Sequence, residues 1–161
     1  MFHGTETVCC FTGHRELPKQ DVPLLVCRLE KAISDLIENG YNSFCAGGAL
    51  GFDTVAAQTV LSMKATNPQI RLILILPCES QTKAWSRKDK EIYENIKKQA
   101  DRFVYLSKDY YPGCMQKRNR YLVDNSSVCI CYLTKTSGGT AYTVDYARRK
   151  GKKVINIAHE V

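Results

Sequence analysis

The stretch Ser43–Asp53, SFCAGGALGFD, decides the fold. A short apolar run ends in Gly47-Gly48, Gly51 follows three residues later, and Asp53 then opens a helical pattern, DTVAAQTVLSMK. Glycine tolerates positive φ and lets a ligand approach the backbone. The free N–H groups at the start of the following helix, aligned with its dipole, favour an anion. The stretch therefore reads as strand, glycine turn, helix. It is neither GxGxxG nor a P-loop, because the first two glycines are adjacent and no Gly-Lys-Ser/Thr follows. A tight strand-to-helix turn without a ligand fits the same residues.

Recurrence gives the stretch its weight. Thr12-Gly13-His14-Arg15 ends an earlier apolar run, and Ser137-Gly138-Gly139-Thr140 follows a later one. Between them the chain alternates. Strand-like runs over TVCCFT (7–12), 44–46, RLILIL (71–76), RFVYL (102–106), 127–133 and KVINI (153–157) are separated by stretches of helical spacing. Leu25, Leu29, Ile33, Leu36 and Ile37 mark the first helix, with Asp21 as its expected cap and Gly40 as its stop. Residues 78–90 read as a polar loop suited to cover a site, with the next helix resuming at Glu91. Five strand–helix units and a closing strand predict one α/β domain over 1–161. It is a Rossmann-like, mostly parallel sheet of about six strands with helices on both faces. Right-handed crossovers then gather the glycine corners at the C-terminal edge of the sheet, where open α/β sheets bind ligands.

Bulk composition narrows the class. At 161 residues and 44% hydrophobic content, the chain has enough material for one two-faced core. No apolar run approaches the ~18 residues of a membrane span, and MFHGTETV carries no signal pattern, so the expectation is a cytoplasmic protein with no membrane partner. The eight cysteines lie mostly in strand-like runs without a CxxC pair, which points to buried thiols rather than disulfides or zinc. No metal and no cofactor is expected. The net charge of +7 is uneven: residues 1–82 hold six Lys/Arg against eight Asp/Glu, and residues 83–161 hold seventeen against eight. An anionic partner for the second half, or simply a solvated lysine surface, accounts for this.

The candidate ligand residues follow from the corners: Gly13, His14 and Arg15; Gly47, Gly48, Gly51 and Asp53; Gly138, Gly139 and Thr140. Arg118 and Asn119 join them from a helix whose first half is basic, since a guanidinium supplies a planar fork for phosphate. Arg118 paired with Asp124 is the structural alternative. Asp53 serves either as a cap for its own helix or as an acceptor for a ribose hydroxyl. Trp85, Tyr110 and Tyr111 are loop aromatics that either stack on a base or pack locally. For hydrolysis the candidate acids are Asp53, Glu79 and Asp145, none with a second acid or histidine at a telling spacing. No GxSxG nucleophile motif is present.

Five segments carry a resemblance: CCFTGHR (9–15), FCAGGALGFD (44–53), LPCESQ (76–81), GCMQKRNRYLVDNSS (113–127) and SGGTAYTVDYA (137–147). In this order they resemble the SLOG superfamily, in its YpsA-like branch of uncharacterised bacterial proteins. Two better-known groups in that superfamily imply different activities. Lonely Guy phosphoribohydrolases cleave nucleoside monophosphates at the N-glycosidic bond, using a PGGxGTxxE turn and an arginine on the preceding helix that Arg118 matches. Thr143 stands where that motif has its catalytic glutamate, and Asp145 is the nearest acid. The DNA-processing protein DprA, which binds single-stranded DNA, has an RNR helix similar to Arg118-Asn119-Arg120. The resemblance thus implies a nucleotide or nucleotide-derived small molecule as partner, in keeping with a sensor, with glycosidic hydrolysis or single-stranded nucleic acid as alternatives. It also implies a homodimer, because related folds pair through helices.

Overall fold

The computed structural model describes residues 4–159. Six strands form one all-parallel sheet: β1 (Val8–Gly13), β2 (Ser43–Ala46), β3 (Arg71–Leu76), β4 (Arg102–Tyr105), β5 (Val128–Tyr132) and β6 (Lys153–Asn156). Their spatial order is β4-β3-β2-β1-β5-β6. Five helices connect them: α1 (Val22–Glu38), α2 (Phe52–Lys64), α3 (Arg87–Gln99), α4 (Cys114–Asp124) and α5 (Gly139–Arg149). The Rossmann-like α/β architecture expected from the strand–helix alternation is the one observed.

The two faces of the sheet divide the helices. On one face Leu29 and Ile33 of α1, Ala56 and Val60 of α2, and Ile96 of α3 pack on Phe11, Phe44, Leu72 and Leu74. On the other, Leu122 and Val123 of α4 and Val144 and Ala147 of α5 pack on Cys10, Cys45, Ile73 and Cys129. Alternation along each strand sends neighbouring residues to opposite faces, so strands covered on both sides must be apolar throughout. β3 and β5 are, apart from the exposed Arg71 that starts β3.

This division positions the site. The chain leaves β1 toward α1 on one face and leaves β5 toward α5 on the other, although β1 and β5 are neighbours. Their C-terminal ends therefore diverge and leave a crevice at the topological switch point.

Two local expectations change. Asp21 makes no side-chain cap; it closes a short 3-10 turn, Lys19–Asp21, that leads into α1. α3 begins at Arg87, not Glu91, because the Ser86 hydroxyl accepts the Asp89 N–H at 3.1 Å and caps the helix four residues earlier. Trp85 packs locally, its ring meeting that of Tyr93 edge-on with centroids 5.5 Å apart. All eight cysteines are free thiols, and seven are buried. No helix among the described residues is long and apolar enough to cross a membrane.

Candidate functional site

A cleft of about 530 Å³ opens at the switch point. Thr12 to Glu16, at the end of β1 and just beyond it, form one wall, and Lys135 with Ser137 to Thr140, after β5, form the opposite one. Met115, Gln116, Arg118 and Asn119 from the first turns of α4 close one end, and Ala49 and Asp53 form the floor.

The wall after β5 is the start of α5. Gly138 turns with φ +100° and ψ −177°, a conformation essentially restricted to glycine. That turn brings Gly139 and Thr140 into the cleft as the first helical residues. The leading N–H groups of a helix have no partner inside it and carry the positive end of its dipole. Thr140 is buried, whereas Gly139 is open. The Thr143 hydroxyl, one turn on, bonds back to the Gly139 carbonyl at 2.9 Å.

The start of α2 is built differently. The Phe52 N–H donates to the His14 carbonyl at 3.0 Å, and the Asp53 carboxylate turns back to accept the Ala49 N–H at 3.2 Å. Here the chain's own acceptors already occupy the helix start. The glycines of this corner serve packing. The Gly47 carbonyl accepts from Nη1 of Arg118. Gly48, at φ +73°, faces Leu76, Tyr93 and Gln81. Gly51, at φ +77°, lies directly on the backbone of Arg15, where a Cβ has no room.

Gly13 performs the same service in the opposite wall: any Cβ there would overlap the Phe52 ring. Phe52 in turn stacks on Tyr132 at the end of β5, with centroids 6.2 Å apart. His14 bridges the two walls. Its Nε2 accepts the Thr134 N–H at 2.9 Å, and its ring meets Tyr132 edge-on. Partial burial, assisted by the charge of Lys135, lowers the His14 pKa, which keeps the imidazole neutral and Nε2 an acceptor.

Arg118 is 3% exposed although it belongs to a helix whose neighbouring side chains face water. Its Nε donates to Oδ1 of Asn119 at 2.8 Å, so Asn119 holds the guanidinium plane. Burial lowers the Arg118 pKa and raises that of Asp53, and each is the main opposing influence on the other. The two are buried groups of opposite charge in the cleft lining. Arg15 and Lys135 stand at its exposed rim. The lining carries Arg15, Arg118 and Lys135 against Glu16 and Asp53, which makes it net positive.

The structure thus brings together Gly13, His14, Arg15, Asp53, Arg118, Asn119, Gly138, Gly139 and Thr140. Gly47, Gly48 and Gly51 support the cleft from behind without lining it. Of the candidate acids only Asp53 reaches it. Glu79 is exposed in the loop after β3, and Asp145 is on the surface of α5 in an ion pair with Arg149. Tyr110 and Tyr111 are exposed and also outside the lining. Lys135, Met115, Gln116 and Glu16 are cleft residues that pattern reading missed. A lysine three residues before Gly138 was the one visible signal. No group of His, Cys, Asp and Glu among the described residues is arranged to hold a metal ion.

Comparison with known proteins places the whole arrangement. The chain is 31% identical over 136 residues to the uncharacterized SPbeta prophage-derived protein YoqJ of Bacillus subtilis, covering 76% of this chain and 79% of that one. It is 32% identical over 124 residues to a UPF0398 protein of Halalkalibacterium halodurans, covering 75% of this chain and 66% of the relative. Among solved structures, DNA processing protein A of Helicobacter pylori superposes with a TM-score of 0.65 at 19% identity. DprA of Streptococcus pneumoniae does so with a TM-score of 0.62 at 20% identity. The matched regions take in 93% and 91% of this chain but only 64% and 48% of those two, so the likeness is one of fold. The model of the YspA SLOG family matches residues 9–158, which takes in all the elements that build the cleft, and the chain belongs to that family.

Proposed function

We propose that the protein binds a nucleotide or another phosphate-bearing, nucleotide-derived ligand in the switch-point cleft, in the manner of a sensor. One observation carries this reading. The open start of α5 at Gly138-Gly139-Thr140 faces a lining that contains Arg15, Arg118 and Lys135. A phosphate seated on the α5 N–H groups gains the helix dipole and charge-assisted hydrogen bonds together. Asp53 and Asn119, on the floor and at the end, are acceptors for sugar hydroxyls.

The test is differential scanning fluorimetry with AMP, ADP-ribose and ribose 5-phosphate. Saturation at 100 times Kd raises stability by about 2.7 kcal/mol. Arg118→Ala abolishes the shift. Equal shifts in wild type and variant, or none in either, reject the reading.

The Helicobacter pylori relative is described by its single-stranded DNA binding mode. The exposed rim cations Arg15 and Lys135 favour that partner as the second reading, and oligonucleotide retention that falls steeply with salt identifies it. N-glycosidic hydrolysis rests on Asp53 alone, whose raised pKa suits a general acid. Release of free adenine from AMP, lost in Asp53→Asn, is its signature.

A further inference from the structure

Met115 is the one large apolar side chain in the lining of the cleft. It is half-buried, yet it packs against neither of the two apolar cores, whereas Met63 of α2 does pack on one. Its thioether lies instead against a buried cation. Sδ is 4.0 Å from Nη2 of Arg118, one turn further along α4.

The donors of Arg118 give that contact its meaning. Nε donates to Asn119, and Nη1 donates to the Gly47 carbonyl. Nη2 has only the sulfur. No carboxylate among the described residues lies within ion-pairing distance of the guanidinium. A thioether is a weak acceptor, and a guanidinium makes its strong hydrogen bonds to carboxylate or phosphate oxygens. Arg118 is therefore fixed at Nε and Nη1 and left nearly unsatisfied at Nη2, where its neighbour is another cleft residue. Methionine is unbranched and adaptable, so Met115 can yield Nη2 to a phosphate oxygen.

The same contact makes the sulfur a point of control. Hydrogen peroxide oxidises a thioether by two electrons and is itself reduced. A sulfur lone pair attacks one peroxide oxygen, and the O–O bond breaks as the S–O bond forms. The hydroxide released takes the proton from the transferred oxygen and leaves as water. The product carries a strongly polar S=O oxygen on the atom that already faces Nη2. We infer that Met115 is a reversible oxidation site whose sulfoxide occupies Arg118 and so competes with the anionic ligand. This rests on the function proposed above and adds peroxide-dependent control of the same site.

Calorimetric titration of the full chain with AMP tests it, using wild type, Met115→Leu and Met115→Gln. Wild type and Met115→Leu are each measured before and after hydrogen peroxide, and peptide mass spectrometry locates the added oxygen. Leucine keeps the apolar bulk without the sulfur, and glutamine puts a carboxamide oxygen in place of the sulfoxide oxygen. Peroxide should weaken AMP binding by wild type about ten- to a hundredfold, the worth of a hydrogen bond to a charged group. Methionine sulfoxide reductase should restore it. The affinity of Met115→Leu should not move on treatment, although that variant keeps Met63 and the exposed Cys27. Untreated Met115→Gln should bind more weakly than untreated Met115→Leu by a factor similar to the wild-type loss. Met115 left unmodified in the folded chain, treated wild type that binds as before, Met115→Leu that loses affinity on treatment, or equal affinities of the two variants each overturn the inference and leave the anion site standing. AMP that fails to bind untreated wild type rejects the proposed function and this inference with it.

Discussion

The guanidinium of Arg118 occupies the space that a side chain on Gly47 would need. Nη1 donates to the Gly47 carbonyl, and a Cβ on Gly47 would lie 2.5 Å from Nη1 and 2.7 Å from Cζ. The two residues are 71 positions apart in sequence. One therefore exists in its present form because of the other, and the cleft-lining arginine has its position set by a backbone corner.

Gly47→Ala displaces Arg118 from the lining. It should abolish nucleotide binding as fully as Arg118→Ala does and cost about 1–3 kcal/mol through overpacking. Arg118→Ala leaves the Gly47 carbonyl unpaired and Asp53 without its opposing charge, at a cost of about 1–3 kcal/mol. The double variant makes room for the methyl group, so its loss should fall short of the sum by about 0.5–3 kcal/mol, as expected for residues in contact. Urea melts of the four proteins give the coupling energy, and strict additivity would refute the contact.

Gly51 and Gly40 separate backbone strain from lack of space. Both have positive φ, +77° and +89°. A Cβ at Gly40 meets nothing within 4 Å, so Gly40→Ala should cost only the left-handed penalty of about 1–2 kcal/mol. At Gly51 the Cβ runs into the Arg15 carbonyl. Gly51→Ala should therefore be markedly worse than Gly40→Ala, to the point of failing to yield folded protein. Similar melting temperatures for the two variants would contradict the close approach of the β1 and β2 corners.

His14 should give the fold a pH dependence. Its folded pKa lies below the ordinary 6.5 because burial and Lys135 disfavour the imidazolium. Between the lowered value and 6.5 the unfolded chain binds more protons than the folded one. This contribution to stability is complete above 6.5 and shrinks as the pH falls below it. Protonated Nε2 also ceases to accept the Thr134 N–H. Asp53, with a raised pKa, works in the opposite direction at lower pH, because its folded form takes up a proton before its unfolded form does. The clean measurement is the wild-type stability minus that of His14→Gln, which should decline from neutrality toward roughly pH 5. A flat difference would remove the bridge between the two walls.

Thiol reactivity reports on the core. Of the eight cysteines only Cys27 is exposed. Titration with a thiol reagent should modify one group per folded chain at once and all eight in denaturant. Cys27→Ser should silence the native reaction. Rapid modification of several groups in the folded state would contradict the packing of Cys10, Cys45 and Cys129 against α4 and α5.

At the exposed rim, Lys135→Glu should leave the melting temperature within the small range typical of surface changes, about 0.5 kcal/mol. The same change should weaken the binding of an anionic ligand and flatten its salt dependence. A variant that binds AMP as well as wild type does would take Lys135 out of the site.

Periodicity and punctuation are local properties, and the sequence alone determined what depends on them. β3 is a nearly continuous apolar run, α1 shows its 3.6-residue stripe at Leu25, Leu29, Ile33 and Leu36, Gly13 and Gly47-Gly48 each close a strand, and Gly138-Gly139 follows one and opens a helix. Alternation of such units leaves an all-parallel sheet as its natural arrangement. Whether a glycine corner faces a ligand or a neighbour is not local. The corner at Gly47–Gly51 has the stronger glycine signal, yet its helix start is filled by the His14 carbonyl and the Asp53 carboxylate, and its glycines admit Arg118 and the Arg15 backbone. At Gly138 and Gly139 an added Cβ would meet nothing within 4 Å, and this corner opens on the cleft. Only the tertiary structure decided between them, because the atoms that close one corner and spare the other come from segments far away in the chain.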